Sequence, residues 1–211
     1  WKINVVGTKN VSKLCKEFKA FLIYVSTDYV FKGDKGMYGE EEETDPINYY
    51  GFTKLEGEKI VKGLGEFCIA RTSVIYGSKP ASGKTNFALW LIEKLRKEEA
   101  VSVVSDQYNS PTLNTNLAEM LLEIAERRLS GIYHLAGATR MSRYEFAKLV
   151  AKTFDLSKDL IRPTSMESLN WVAKRPRDSS LNVSKAMREL RNKPKEIKLA
   201  LNELKDEMAK E

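Results

Sequence analysis

The sequence predicts an α/β fold, a parallel sheet joined by crossover helices, and three features of its 211 residues point there. Short apolar runs rich in β-formers alternate with longer segments of helical periodicity, the pattern of strands linked by helices. The chain has no internal repeat and no low-complexity segment beyond the acidic run at 40–43. A helix-like segment comes first, so the first strands of the sheet are expected upstream of Trp1.

Residues 3–18 read as a helix with apolar positions Val6, Val11, Leu14 and Phe18. Residues 21–26 are a short β-rich run, hence a buried strand. A polar, glycine-containing loop extends through Pro46. Residues 47–63 read as a helix, with Gly63 and Gly65 as stop signals. Residues 67–71 form the next strand. Residues 85–99 form an amphipathic helix with Phe87, Leu91 and Leu95 on one face. A strand at 101–104 precedes a helix at 114–128, for which Asn114 is the expected cap. Residues 131–135 read as a strand. Ser142 and Glu145 have the spacing of a capping box, which opens a helix to about Phe154. A basic, less regular stretch follows, then helices near 184–191 and 195–210.

Composition narrows the function classes. Hydrophobic residues make up 42% and charged residues 30%, the balance of a soluble globular chain. No apolar run approaches the ~18 residues of a membrane span, and Trp1–Val5 lacks the features of a signal peptide. Cys15 and Cys68 stand far apart without metal-ligand spacing, which fits reduced thiols in the cytoplasm. The net charge of +6 suits a small anionic substrate as well as nucleic acid. Lys and Glu dominate the charges and Gln occurs once, a composition that points to a thermophilic source.

The chemistry concentrates in Ser26-Thr27-Asp28-Tyr29-Val30-Phe31 and in Tyr50-Gly51-Phe52-Thr53-Lys54. Residues four apart on a helix share a face, so Lys54 is expected beside Tyr50. An ammonium there favours the phenolate and lowers a tyrosine pKa from about 10. Such a tyrosine exchanges a proton with a substrate oxygen while a hydride moves at carbon. A hydroxyl at the end of the preceding strand, Thr27 or Ser26, is expected at the same oxygen, where open α/β sheets bind ligands. Tyr144 and Lys148 repeat the spacing, but no strand-end hydroxyl cluster precedes them, and Tyr144 is expected to pack.

These residues and their collinear neighbours resemble the extended short-chain dehydrogenase/reductases, and within them the dTDP-4-dehydrorhamnose reductase family. The similarity runs from about Lys2 to about Leu190. It includes residues 46–59, 71–76, 106–112 and 131–137, and Lys174-Arg175-Pro176-Arg177-Asp178-Ser179-Ser180-Leu181. The resemblance implies a doubly wound, Rossmann-like nucleotide-binding domain, N-terminally truncated here, with a small substrate-capping region. Residues 1–136 would carry the dinucleotide-binding part and the Tyr-Lys centre, and residues 137–211 mainly the cap and C-terminal helices.

The implied cofactor is NADPH or NADH, and the implied reaction reduces the 4-keto group of dTDP-4-dehydro-6-deoxy-L-mannose. By the same resemblance Thr27 positions the keto oxygen, Tyr50 donates the proton, and Lys54 lowers the tyrosine pKa and holds the nicotinamide ribose. Ser26 joins Tyr50 and Lys54 at the cofactor. Thr27, Asp28, Tyr29, Val74 and Arg175 face the sugar nucleotide, and Val74 stands where bacterial members carry a tryptophan. A homodimer is the expected assembly, with neither nucleic acid nor membrane as partner. The family's glycine-rich phosphate turn does not occur in the 211 residues, so they are expected to hold NADPH negligibly by themselves. A regulatory protein similar to the β subunit of methionine adenosyltransferase is the alternative, its partner a catalytic synthetase subunit. A third reading is an extended-family epimerase or dehydratase.

Other features take structural readings. Gly77 to Thr85 lacks the spacing of a phosphate-binding loop and is expected as a mobile loop before a helix. His134, the only histidine, is expected to pack, and residues 40–43 to form a solvated loop. Arg175 and Arg177 are suited to clamp a diphosphate.

Overall fold

The computed structural model describes residues 1–80 and 83–210. Ala81 and Ser82, which fall within the loop expected between Gly77 and Thr85, lie outside the described residues. A wide helical turn at Lys2–Gly7 runs into α1 (Thr8–Phe18). β1 (Leu22–Thr27) ends in a short 3-10 turn at Asp28–Val30, and α2 (Tyr49–Lys62) follows the loop. Next come β2 (Phe67–Thr72), β3 (Ile75–Tyr76), α3 (Phe87–Arg96) and β4 (Val101–Val104). Then follow β5 (Tyr108–Asn109), β6 (Thr112–Leu113), α4 (Asn114–Arg127) and β7 (Gly131–His134). The chain closes with β8 (Met141–Ser142), α5 (Arg143–Thr153), β9 (Ile161–Thr164), α6 (Ser184–Glu189) and α7 (Ile197–Ala209).

The main sheet is parallel in the order β1-β2-β7, with Leu22 opposite Phe67 and Cys68 opposite Gly131. β3 pairs with β6 and β4 with β9 in parallel, while β5 and β8 are antiparallel. The α/β prediction therefore holds. The strand β9 was not expected, because Pro163 removes a ladder donor and the segment is basic; it pairs along one side only, to β4. Asn114 does not cap α4: Leu113 occupies the cap position, and the Asn114 side-chain oxygen accepts from the next residue's N–H at 2.9 Å. The Ser142–Glu145 capping box forms as expected.

The apolar positions expected to bury α1 do not do so. Val11, Leu14 and Phe18 are 48%, 53% and 72% exposed, whereas Val5, Thr8 and Ser12 are buried. The wide turn before it lies on α2, where Asn4 donates to Thr53, and α1 itself buries the small, polar Thr8 and Ser12. Of the apolar stripe only Val11 borders the groove that Ile3, Leu22 and Tyr24 also line.

Three hydrophobic clusters hold the rest. The largest joins α3, β4, α5 and α7 through Leu91, Val103, Phe146 and Leu201. A second packs Cys68, Met120, Ile124 and Leu135 between sheet and helices. A third, with Val30, Phe31, Tyr38 and Leu181, sits under the turn that ends β1. Tyr144 packs against the first cluster, with the Lys148 ammonium 4.5 Å from its ring centre. No described helix is long and apolar enough to cross a membrane. Cys15 and Cys68 are free thiols, and burial pushes Cys68 up to about 12.

Candidate active site

The carboxyl end of β1 and the start of α2 meet because two glycines let them. A Cβ on Gly51 would lie 2.1 Å from the Tyr29 carbonyl oxygen, and one on Gly57 would lie 2.2 Å from the Tyr24 hydroxyl. Helix-interior glycine is costly, so both positions mark close approach. Asn48 caps the helix by accepting from the Gly51 N–H at 2.8 Å, and its amide donates to the Lys174 carbonyl at 3.0 Å. The cap thus also ties α2 to the basic C-terminal stretch.

The structure brings Thr27, Asp28, Tyr29 and Tyr50 together, whereas Lys54 reaches back to the strand at Val25. Tyr50 is half exposed. Its ring meets that of Tyr29 edge-on at 6.1 Å. Burial raises the Tyr50 phenol, with Asp28 adding to the rise and Thr27 pulling against it. This corrects the expectation that Lys54 lowers the Tyr50 pKa. The Lys54 ammonium donates to the Val25 carbonyl at 2.6 Å and lies 4.1 Å from the Tyr24 ring centre. Burial depresses it to about 8, opposed by Glu58.

Two further expectations change. The Ser26 hydroxyl faces inward and donates to Glu58 at 2.6 Å, so it is committed to the core rather than to a cofactor. Asp28 is 3% exposed. Ser73 and Ser179 donate to one of its oxygens at 2.8 and 2.6 Å, and Thr27 to the other at 3.0 Å. Its carboxyl therefore links three segments instead of opening toward a sugar. Burial raises its pKa against the pull of these hydroxyls.

Val74 follows Ser73 with φ +40°, a genuine outlier for a β-branched residue and the kind of strain found at functional sites. Its carbonyl accepts from the Thr112 N–H at 3.1 Å.

A cavity of about 360 Å³ is lined by Phe87, Trp90, Val104, Arg143, Trp171 and Arg175 among others, and the charges of Arg143 and Arg175 reach Tyr29. The Arg175 guanidinium lies 4.5 Å from the Trp171 ring centre, and that of Arg143 lies 5.2 Å from Phe87. Arg143 also donates to the Gln107 side chain at 3.0 Å, and burial raises the Tyr29 phenol against the pull of Arg143, Arg175 and Gln107. Arg177 is not part of this lining; its guanidinium is mostly exposed and stands 3.5 Å from Asp106.

Sequence reasoning missed Arg143, Gln107 and the two tryptophans. One signal was present: Arg143 opens a helix, where a cation opposes the helix dipole. Flat aromatic walls flanked by guanidinium groups suit a planar base joined to a diphosphate.

His134 is fully buried, packs edge-on to Phe31, and leaves Nε2 without a partner. The acidic run at 40–43 is only partly solvated, because Glu40 turns inward. Its carboxylate accepts the His134 N–H at 3.1 Å, and its carbonyl accepts from Arg71.

A family model described as the RmlD substrate binding domain matches residues 1–210. The chain is 34% identical over 190 residues to methionine adenosyltransferase 2 subunit beta of Xenopus tropicalis, covering 87% of this chain and 56% of that protein. It is 33% identical over 201 residues to dTDP-4-dehydrorhamnose reductase of Escherichia coli K12, covering 87% of this chain and 64% of the relative. Among solved structures it resembles the Bacillus anthracis dTDP-4-dehydrorhamnose reductase in complex with NADP, at 33% identity and a TM-score of 0.88, covering 97% of this chain and 72% of that one. The chain thus spans roughly three-fifths of the length of these curated relatives.

Proposed function

The chain belongs to the RmlD substrate binding domain family, and from that premise we propose that the whole protein is an NAD(P)H-dependent reductase acting on the 4-keto group of a dTDP-4-dehydro-6-deoxy-L-sugar. What supports this reading is the Tyr50 ring packed on Tyr29 beside the carboxyl end of β1, with Lys54 held to the same strand at the Val25 carbonyl, and an aromatic cavity holding two arginines whose charges reach Tyr29.

On this reading the base and diphosphate occupy the cavity, with the diphosphate between Arg143 and Arg175. Tyr29 and Val74 border the sugar, and the keto oxygen reaches the Tyr50 hydroxyl. A phenol kept protonated by burial gives its proton to that oxygen. The residues present fit a nicotinamide cofactor: besides Lys54 and Tyr50, the buried Thr72 hydroxyl at the end of β2 has no hydrogen-bond partner and lies opposite Thr27 in the sheet. Bound there, NADPH or NADH supplies the hydride for the carbonyl carbon. Residues 1–136 contribute most of the cofactor side and residues 137–211 most of the cap, although Phe87, Trp90 and Val104 line the cavity from the first part. A homodimer is the assembly that goes with this reading.

Tyr50→Phe in the full-length protein is expected to leave NADPH affinity unchanged and to lower kcat at least ~100-fold, read from NADPH oxidation with the keto-sugar nucleotide. Undiminished turnover would overturn the proton-donor role.

A second reading, a regulatory subunit, is favoured by the 34% identity to the methionine adenosyltransferase subunit. Co-purification with a synthetase catalytic subunit, together with no keto-sugar turnover, is the result that selects it.

A further inference from the structure

Residues 169–175 form one wall of the cavity, through Leu169, Trp171 and Arg175, yet belong to no helix or strand. Both ends of this strap are fastened. Upstream, the Met166 N–H donates to the Asp106 carboxylate at 2.8 Å. Downstream, the Arg177 and Asp178 N–H groups donate to the Gly33 carbonyl at 3.1 and 2.9 Å, and the Gln107 amide donates to the Pro176 carbonyl at 3.3 Å. Gly33 lies so close that a Cβ there would stand 2.0 Å from the Pro176 Cβ. Between these anchors, among the described residues, a single hydrogen bond reaches the strap from another element: the Asn48 amide donates to the Lys174 carbonyl at 3.0 Å. The other bonds of the strap are local, from the Leu169 N–H to the Met166 carbonyl and from the Trp171 N–H to the Leu169 carbonyl, and Val172 is fully exposed.

Asn48 is also the cap of α2, where it accepts the Gly51 N–H at 2.8 Å. The two bonds use the two ends of one amide, Oδ1 for the helix and Nδ2 for the strap. Asp and Ser cap a helix as well as Asn does. An ionised Asp has no proton to give, and a Ser hydroxyl is too short to serve both groups. Capping has already fixed the Asn48 rotamer, so the second bond costs little further side-chain freedom. That offsets the competition from water that weakens a hydrogen bond at the surface. We propose that Asn48 is a positioning residue of the cavity: its amide latches the strap that carries Trp171 and Arg175 to the first turn of the helix that carries Tyr50. The Arg175 guanidinium and the Trp171 ring centre stand 4.5 Å apart on that strap, so one tie places both.

The latch rests on the reductase reading only for the identity of its ligand, a nucleoside diphosphate, so the first readout needs no ligand. It is amide hydrogen exchange of residues 169–175 in the full-length protein. Asn48→Ser and Asn48→Asp both keep the cap and lose the latch, one without and one with an added charge. Each is expected to speed exchange in the strap about threefold or more, with the α2 amides within about twofold of the parent. In both variants the Kd for dTDP, read by calorimetry, should rise about three- to tenfold. Unchanged strap exchange overturns the proposal, because the tie then holds nothing. An equal rise through α2 also overturns it, because Asn48 then acts only as a cap. A Kd that rises in Asn48→Asp alone overturns it as well, since the added charge explains that result. If the unaltered full-length protein binds no dTDP, the nucleotide-sugar reading fails, and the exchange of residues 169–175 alone decides whether the latch stands.

Discussion

His134 shows how far burial alone moves a single residue. Burial, with Arg71 nearby, holds the imidazole down at about 3 against an ordinary 6.5. Its Nδ1 meets the Asn182 carbonyl at 3.2 Å while Nε2 faces no partner. The folded pKa lies below the unfolded one. The neutral ring's contribution to stability is therefore complete above about pH 6.5 and is lost as pH falls toward 3. Urea unfolding between pH 7 and 4.5 should show stability declining by up to about 1.4 kcal/mol per pH unit at the acid end. His134→Leu should flatten that slope, whatever its offset. Glu123 acts in a lower window. The backbone N–H groups of Arg191 and Asn192, with Arg127, overcome burial and hold its carboxylate at about 2. Its contribution is present above about 4.5 and is lost only below that, so the two residues separate along the pH axis.

At the scale of the element, α2 explains why the site exists at all. Its sequence, with glycines at 51 and 57, is a poor helix by propensity alone. Both glycines are needed because the helix lies almost on the backbone of the turn after β1 and on the Tyr24 ring. Gly51→Ala must therefore push the start of α2 off the Tyr29 carbonyl. It is expected to cost about 1–3 kcal/mol in thermal or urea unfolding and to reduce turnover by separating Tyr50 from Thr27. Stability and activity both within error of the parent would show that the helix shifts freely. α1 teaches the opposite lesson about patterns. Its apolar periodicity was legible, yet the positions it buries are the small, polar Thr8 and Ser12. An apolar stripe records that a face prefers to be covered, not which neighbour covers it.

Over the whole molecule, α2 and the sheet are locked by charge as well as by packing. Arg71 on β2 and Glu58 on α2 are 1% and 0% exposed, pair through two bonds of 3.0 and 2.8 Å, and include the Ser26 hydroxyl. Glu58→Gln leaves a buried guanidinium without its counter-charge and should cost about 3–5 kcal/mol in urea unfolding. Lys97→Gln at the exposed Glu93 pair should stay within about 1 kcal/mol. A loss at Glu58 no larger than at Lys97 would mean that water reaches the pair.

Much of this architecture was legible in the chain because periodicity, caps and breakers are local. The positions of β1, α2, β2, β4 and the Ser142 capping box need only neighbouring residues, and the Tyr50–Lys54 spacing follows from helix geometry. The short strands β3, β5, β6 and β8 carry two residues each, too few for a pattern, and β9 was hidden by its proline. What only the tertiary structure decided is where each polar group points. The Ser26 hydroxyl turns to Glu58, Asp28 gathers the neighbouring Thr27 hydroxyl and two more from distant segments, and the Lys54 ammonium turns to Val25 and Tyr24 instead of relieving Tyr50. A sequence fixes which donors and acceptors exist; once burial removes water, their partners are chosen by long-range packing.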